Sequence, residues 1–330
     1  MSALPILAIS IGDPNGIGVE ILLKTFSDKS LFERCIPVVY ADIDFIAQQQ
    51  LLFGTQVPLE LVKDSPIEGA LNVKSIWENA PEIAFGKQTA EAGKAAFESL
   101  QAATLDVKHG KADALVTAPI HKAAIKSTLF PFAGHTHYLA SVWGGEALMI
   151  LAHKNLRVAL LTDHIPLAQV PKRITKALII EKTHELWQTL KKDFGCAHPK
   201  IALLGLNPHA GDQGVIGAED DDMLTPAIKT LTADGVAIEG PYPADGFFGQ
   251  KSYANFDAVL SCYHDQGLVG FKTLAFGNGV NVTAGLRFVR TSPDHGTAFE
   301  IAGKGMANHI SFANAIQAAC SIWQLRQKNT

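Results

Sequence analysis

Along this chain, short and nearly continuous apolar runs alternate with longer segments that carry apolar residues at helical spacing: PILAISI then IGVEILLKTF, CIPVVYA then DFIAQQQLL, ALVTAP then IHKAAIK, KIALLGLNP then DDMLTPAIKTL. A strand that is apolar on both faces must be covered on both. A connection that is itself a helix returns the next strand parallel to the last. The pattern therefore predicts an α/β architecture on largely parallel sheet. One segment departs from it. In LMILAHKNLRVALLTDH two apolar runs flank His-Lys-Asn-Leu with no helix between them, which predicts a local hairpin. The stretch from Gly86 to His109 and the C-terminal NHISFANAIQAACSIWQLRQ each read as one long amphipathic helix. With no internal repeat and no low-complexity linker, any domain boundary is crossed by short connections. The division expected is a discontinuous first α/β subdomain over 1–130 and 285–330 and a second over 131–284.

Composition excludes several classes of partner. The 330 residues, 47% apolar and 18% charged, are enough for a sizeable core in two domains or one large one. A formal net charge of -4 without long like-charge runs offers nothing to nucleic acid or to an anionic membrane. The opening MSALPILAISIGDP has no basic segment before its apolar run, and that run ends in Gly-Asp-Pro, so no export signal is read and a cytoplasmic location is expected. No apolar stretch approaches the roughly 20 residues that cross a bilayer. Cys35, Cys196, Cys262 and Cys320 form no C-x-x-C pair and are expected to be buried free thiols.

Three histidines share one context, each just after an apolar strand-like run: His164 in ALLTDHIPLAQ, His209 in IALLGLNPHAGD and His264 in AVLSCYHDQG. The carboxyl ends of strands in an open α/β sheet line its ligand crevice, so residues so placed converge although distant in sequence. Three imidazoles suit a divalent cation such as zinc, cobalt or manganese, with Asp163, Asp212 and Asp265 beside them as orienting acceptors. A lone histidine is more often a surface or satisfied core residue, and no H-E-x-x-H supports a local metal site; the shared strand-end context is what singles these three out. Gly134-His135-Thr136-His137 precedes the helical YLASVWG, where free N–H groups favour a carboxylate or phosphate, unless Thr136 is only an N-cap. Lys272, Asn281, Arg287 and Arg290 cluster in a glycine-rich C-terminal third, again pointing to anion recognition, with surface solvation as the plain alternative for each. Thr291, Ser292 and Asp294 stand where a helix cap ahead of TAFEIAGKG is expected. GDPNGIGVE follows the first strand but is not G-x-G-x-x-G, and no P-loop exists, so these residues alone do not identify a nucleotide.

GDPNGIGVE, TAPIHKAAI, GHTHYLA, NPHAGDQGVIGAED, GPYPADGFF, CYHDQG and GVNVTAGLRFVRTSPDHGTAFEIAGKG resemble, in this order, the signature segments of the 4-hydroxythreonine-4-phosphate dehydrogenase family, from Ile6 nearly to the C-terminus. DHGTAFEIAGKGMAN also resembles the cofactor-side motif of the isocitrate and isopropylmalate dehydrogenases. The resemblance implies the isopropylmalate dehydrogenase-like fold, two α/β/α subdomains flanking a cleft, and NAD, or NADP in its place, bound through loops that include Asp294, His295 and Gly296. It implies one divalent metal ion per site, zinc, magnesium, cobalt or manganese, on His164, His209 and His264. Substrate contacts fall on His135, Thr136, Lys272, Asn281 and Arg290, with Lys272 and Asp245 as catalytic groups. It implies a homodimer whose subunits both contribute metal ligands. The activity implied is oxidation of a phosphorylated hydroxy amino acid in vitamin B6 biosynthesis. Asn15, Val19, His137, Gly246 and Phe247 depart from the family's common residues (alanine, proline, an acidic residue, threonine and a smaller residue), which keeps threonate or erythronate phosphate in view as alternative substrates. A phosphometabolite-binding protein without chemistry, and a metal-dependent phosphatase or acyl-phosphate transferase, are the competing readings; reduction of NAD separates them.

Overall fold

The computed structural model describes residues 4–126, 130–132 and 134–328. In chain order the elements are β1 (Ile6–Ser10), α1 (Gly18–Phe26), β2 (Ile36–Ala41), α2 (Ile43–Phe53), β3 (Leu59–Leu61), β4 (Leu71–Ser75), α3 (Ala90–Lys108), β5 (Ala114–Thr117), α4 (Lys122–Ile125) and α5 (His135–Trp143). There follow β6 (Gly145–His153), β7 (Leu156–Leu160), α6 (Val170–Arg173), α7 (Lys176–Lys192), β8 (Lys200–Leu204), α8 (Thr225–Ala233), β9 (Ala237–Tyr242), α9 (Ala244–Gly249), β10 (Ala258–Ser261), α10 (His264–Ala275), β11 (Val280–Leu286), β12 (Val289–Pro293) and α11 (Ile310–Lys328). The chain divides into two compact units, the described residues of Met1–Glu146 with Leu286–Gln324, and those of Ala147–Gly285 with Leu325–Thr330.

In the first unit the strand order is β3-β4-β2-β1-β5-β12. The registered pairs are all parallel, Leu7 facing Pro37 and Ala114, and Arg290 facing Leu115. Leu7, Ala8 and Ile9 of β1 are fully buried, as continuously apolar strands must be; each large apolar side chain so enclosed contributes about 1.5–3 kcal/mol. Helix α3 packs across β1, β2 and β5. It starts at Ala90, not Gly86. Thr89 accepts a hydrogen bond from the Ala92 amide as its N-cap, while Gly86 has a left-handed φ of +73° and its amide bonds the Asn15 carbonyl. Residues 134–146 belong to this unit because Trp143 Nε1 donates to the Thr104 carbonyl of α3 and Tyr138 packs edge-on against Phe97. TAFEIAGKG is a series of turns rather than a helix: Thr291 and Ser292 lie in β12, and Ala298, Gly303 and Gly305 all have positive φ. IHKAAIK holds only the single turn of α4, and its last residues run to the edge of the described chain.

In the second unit the order is β11-β6-β7-β10-β8-β9, with β7, β10, β8 and β9 mutually parallel. The hairpin is present as antiparallel β6–β7, with His153 facing Leu156 across the turn. Helix α7 is capped by Thr175, which accepts from the Leu178 amide, and it buries Ile179, Thr183, Leu186 and Leu190 along one face. Beneath α10 a core of Leu151, Val158, Leu204, Val259, Leu268 and Phe271 fixes that helix against the sheet. Cys35, Cys262 and Cys320 are buried, Cys196 is half-buried, and all four are free thiols.

Candidate active site

Because β7, β10 and β8 are parallel neighbours, their carboxyl ends open on one edge of the second unit's sheet. His164 follows the end of β7, His264 opens α10 directly after β10, and His209 lies in the loop after β8. The rings of His164 and His264 stand 5.3 Å apart, centroid to centroid. His264 Nδ1 meets Asp265 Oδ1 at 2.7 Å. A carboxylate only accepts, so that contact puts the ring proton on Nδ1 and leaves the Nε2 lone pair for a ligand. Asp163 accepts from the His164 backbone amide at 2.6 Å, and its Oδ2 stands 3.8 Å from His164 Nδ1, near the ring without a hydrogen bond to it. The loops are tied together at their roots. Gln266 accepts from the Cys262 amide (2.7 Å) and donates to the Gly205 carbonyl (2.6 Å), joining the ends of β10 and β8. Thr162 Oγ1 donates to the Cys262 carbonyl (2.7 Å), joining the ends of β7 and β10.

His209 is held in an unusual backbone. His209, Ala210, Gly211, Asp212 and Gln213 all have left-handed φ, from +43° to +81°. An L-residue pays about 1–2 kcal/mol for that region, and it occurs as isolated residues, so a run of this length needs strong external support. His209 lines a cavity of about 570 Å³ with Asp245 at the start of α9 and with Asp265 and Gln266. His264 and Lys272 lie two turns apart on one face of α10 and share a second cavity of about 550 Å³, with Asp265 on its wall as well. Asn281, on β11, keeps its side-chain oxygen enclosed without a hydrogen bond. Among the described residues no group of three His, Cys, Asp or Glu side chains lies close enough to hold a metal ion. Two imidazoles, one steered by a carboxylate and the other with a carboxylate nearby, do fit a borderline divalent cation as a partial ligand set that leaves positions for further donors.

The first unit has a site of different character. The carboxyl ends of β1, β5 and β12 are again parallel neighbours. Gly12, after β1, has φ +71°, and a Cβ there would sit 2.2 Å from the Pro119 carbonyl oxygen, so the turns after β1 and β5 are pressed together. Arg290 is buried at 3% exposure and donates to Thr117 Oγ1 at 2.7 Å. Burial pushes its pKa down to about 9, which leaves the guanidinium protonated near neutral pH. His135 opens α5 after Gly134, which stands at the N-cap without a side-chain cap bond, so Thr136 lies inside the first turn and does not cap the helix. Its Nε2 is enclosed without a partner. Burial first, and then the charges of Arg290 and Lys122, hold His135 well below the ordinary histidine range, so it is neutral at pH 7. Lys122, Thr117, Asp13 and His121 were not singled out in the sequence. Asp13 Oδ2 is also enclosed without a partner, and its pKa is raised by burial against the lowering effects of the Asn15 amide and His121. The signals that point to them are their position in the turns after β1 and β5 and their place in the segments GDPNGIGVE and TAPIHKAAI. After β12, the Asp294 amide donates to Ser311 Oγ, His295 Nδ1 donates to the Gly296 carbonyl, and Phe299 stacks on His121.

A sequence profile of the family described as "Pyridoxal phosphate biosynthetic protein PdxA" matches residues 33–319. The chain belongs to this family. A relative from Bacteroides thetaiotaomicron, named 4-hydroxythreonine-4-phosphate dehydrogenase, is 44% identical over 98% of this chain and 90% of its own length. The crystal structure of a 4-hydroxythreonine-4-phosphate dehydrogenase from Klebsiella pneumoniae superposes with a TM-score of 0.85 at 33% identity, covering 98% of this chain and all of that one (100%). Isocitrate dehydrogenase from Methylococcus capsulatus, at 13% identity and a TM-score of 0.50 over 99% of this chain and 88% of its own, shares the fold. The architecture is thus the α/β fold of the isocitrate and isopropylmalate dehydrogenases, and the chain is a member of an oxidoreductase family of pyridoxal phosphate biosynthesis.

Proposed function

We propose that this chain catalyses the NAD-linked, metal-dependent oxidation of 4-phosphohydroxy-L-threonine at C3 to 2-amino-3-oxo-4-phosphohydroxybutanoate, which loses carbon dioxide to give 3-amino-2-oxopropyl phosphate. The observation that carries this reading is the pairing of His164 with His264 at adjacent strand ends, in a chain 44% identical to a relative bearing the enzyme's name. Bound there, a divalent cation (zinc, magnesium, cobalt or manganese) supplies Lewis acidity toward the C3 alcohol, and NAD, or NADP in its place, accepts the hydride. His164, His209 and His264 are the side chains that hold the cation. Asp245, on the wall of the His209 cavity, is the group assigned to take the alcohol proton. Lys272, Asn281 and Arg290 grip the phosphate, and His135 and Thr136 bind the substrate as neutral donors. The Lys272 ammonium, sharing a cavity with His264, also offsets the negative charge that grows on the substrate as carbon dioxide leaves. Asp294, His295 and Gly296 are the residues that would hold the nucleotide.

The same reading makes the working form a cytoplasmic homodimer in which both subunits contribute ligands. It is supported by the incomplete ligand set among the described residues and by Val269 and Phe276 of the α10 region, exposed on the wall of the Lys272 cavity. The test is the absorbance of NADH formed by purified protein with NAD and 4-phosphohydroxy-L-threonine, with and without added divalent metal, and with threonate and erythronate phosphates alongside. Metal-dependent turnover of the amino acid phosphate is the expected result. Turnover of the sugar-acid phosphates alone would keep the chemistry and change the substrate, and no NADH from any of them would remove the dehydrogenase reading.

A further inference from the structure

The left-handed turn that carries His209 is closed by a single buried carboxylate. Asp220 has 0% exposure, yet it lies in an acidic run, Glu219 to Asp222, whose other members are not fully buried. Its Oδ1 accepts from the Leu206 amide at 2.7 Å, and its Oδ2 accepts from the Asn207 amide and from Asn207 Nδ2, both at 3.0 Å. Asn207 Nδ2 is shared with Glu219 Oε2 at 2.8 Å. The two glycines nearest the carboxylate have no room for a side chain. A Cβ on Gly205 would come within 2.9 Å of Asp220 Oδ1 and of Ala210, and one on Gly211 within 3.4 Å of the Asp220 Cβ. The segment that enters the left-handed run, 206–207, is therefore held by the Asp220 side chain, and the Ala210 amide in turn bonds the Asn207 carbonyl at 3.1 Å, so the clasp passes directly into the turn. A buried carboxylate whose oxygens each take amide donors is a strong acceptor and a poor one to remove, because the donors it leaves have no water to turn to.

We propose that Asp220 is a positioning residue for metal binding: by clasping 206–207 it holds the chain in the left-handed turn that presents the His209 imidazole. The proposal rests on the reading of His209 as a metal ligand. Its consequence is that ligand geometry is set before the metal arrives and that loosening the clasp lowers metal affinity rather than the chemistry of the loaded site. Asp220→Asn keeps the shape, but its amide nitrogen cannot accept, so one of the bonds to 206–207 is lost. Ala210→Gly lets position 210 adopt its φ of +51° without the cost to a Cβ, so less holding is needed.

The experiment is titration of metal-stripped, full-length protein with zinc or cobalt, read by calorimetry or by the cobalt absorption band, alongside thermal unfolding of each variant. Asp220→Asn is expected to bind metal about tenfold to a hundredfold more weakly, with most of the turnover recovered at saturating metal. Asp220→Asn with Ala210→Gly is expected to regain part of that loss, which general destabilisation of the fold would not give. A folded Asp220→Asn variant that binds metal as tightly as the parent overturns the proposal. His209→Ala in the same series separates the two readings: unchanged affinity there removes His209 as a ligand, whereas weakened affinity there with none in Asp220→Asn removes only the clasp. Should Asp220→Asn fail to fold, Asn207→Ala, which cuts the side-chain bonds to Asp220 and Glu219 and keeps the backbone bonds of 206 and 207 to Asp220, carries the same test beside Glu219→Gln, which leaves the Asp220 bonds intact. A drop in affinity supports the clasp, and an unchanged affinity overturns it.

Discussion

The two strand edges to which the proposed function assigns the chemistry are built alike and equipped differently. Each is the carboxyl end of three parallel neighbours, β7-β10-β8 in one unit and β1-β5-β12 in the other. At the first, histidines remain partly exposed and sit beside carboxylates, which leaves imidazole lone pairs available to a cation. At the second, a buried arginine and a lysine surround a histidine that they and burial keep neutral. Such a set attracts an anion and repels a metal. One supersecondary plan thus carries two sets of side chains, imidazoles with carboxylates beside them in one unit and, in the other, a buried arginine and a lysine around a neutral imidazole.

The sharpest way to break this contrast is to exchange a ligand on the metal edge. His209→Ala is expected to lower turnover about a thousandfold, the scale of a lost Lewis acid, while thermal stability stays near that of the parent. Full turnover of this variant after metal stripping would falsify the cation assignment. On the anion edge Arg290→Lys keeps the charge and loses the planar fork, and we expect KM for the phosphorylated substrate to rise about thirtyfold or more with a smaller change in kcat. An equal loss in kcat at unchanged KM would instead place Arg290 in the chemical step. Smaller again is Gln266→Glu, which keeps the acceptor for the Cys262 amide and cannot donate to the Gly205 carbonyl while ionised. Leaving that carbonyl unpaired costs about 1–3 kcal/mol, measurable by denaturant unfolding, and a variant as stable as the parent would show that the bridge between β10 and β8 contributes nothing.

The apolar runs located the strands and the hairpin because burial on both faces leaves no polar residue to confuse the pattern. The strand-end placement of His164, His209 and His264 was legible for the same reason: each interrupts the chain just where an apolar run stops. Residue type and spacing left Arg290 as one cation among several; the resemblance set it apart from Arg287, and the physical difference is tertiary, its burial and its bond to Thr117. Asp220 was invisible in its acidic run, because a buried carboxylate and its solvated neighbours read identically in sequence. The start of α3 was misjudged because Gly86 is held out of the helix by Asn15, 71 positions earlier in the chain, through the Gly86 amide and an Asn15 side chain that reaches the Lys87 carbonyl.

The smallest effect expected is also the most direct reading of the anion edge. His135 has its pKa lowered in the folded chain, so the unfolded chain binds a proton near the ordinary histidine value of 6.5 that the folded chain refuses. Stability from this group is therefore fully present above about pH 6.5, declines as pH falls toward the lowered folded value, and levels off below it. The slope it adds is at most about 1.4 kcal/mol per pH unit. His135→Gln is expected to flatten the acid side of the stability profile by up to that amount, measured by urea unfolding between about pH 7 and pH 5. An unchanged slope would mean that His135 takes up its proton as readily folded as unfolded, and the cationic character of this edge would fall with it. Inorganic phosphate sharpens the test. An anion seated beside Arg290 and Lys122 offsets the charges that help to hold His135 neutral, so the parent profile should flatten with phosphate while the His135→Gln profile shifts without changing slope.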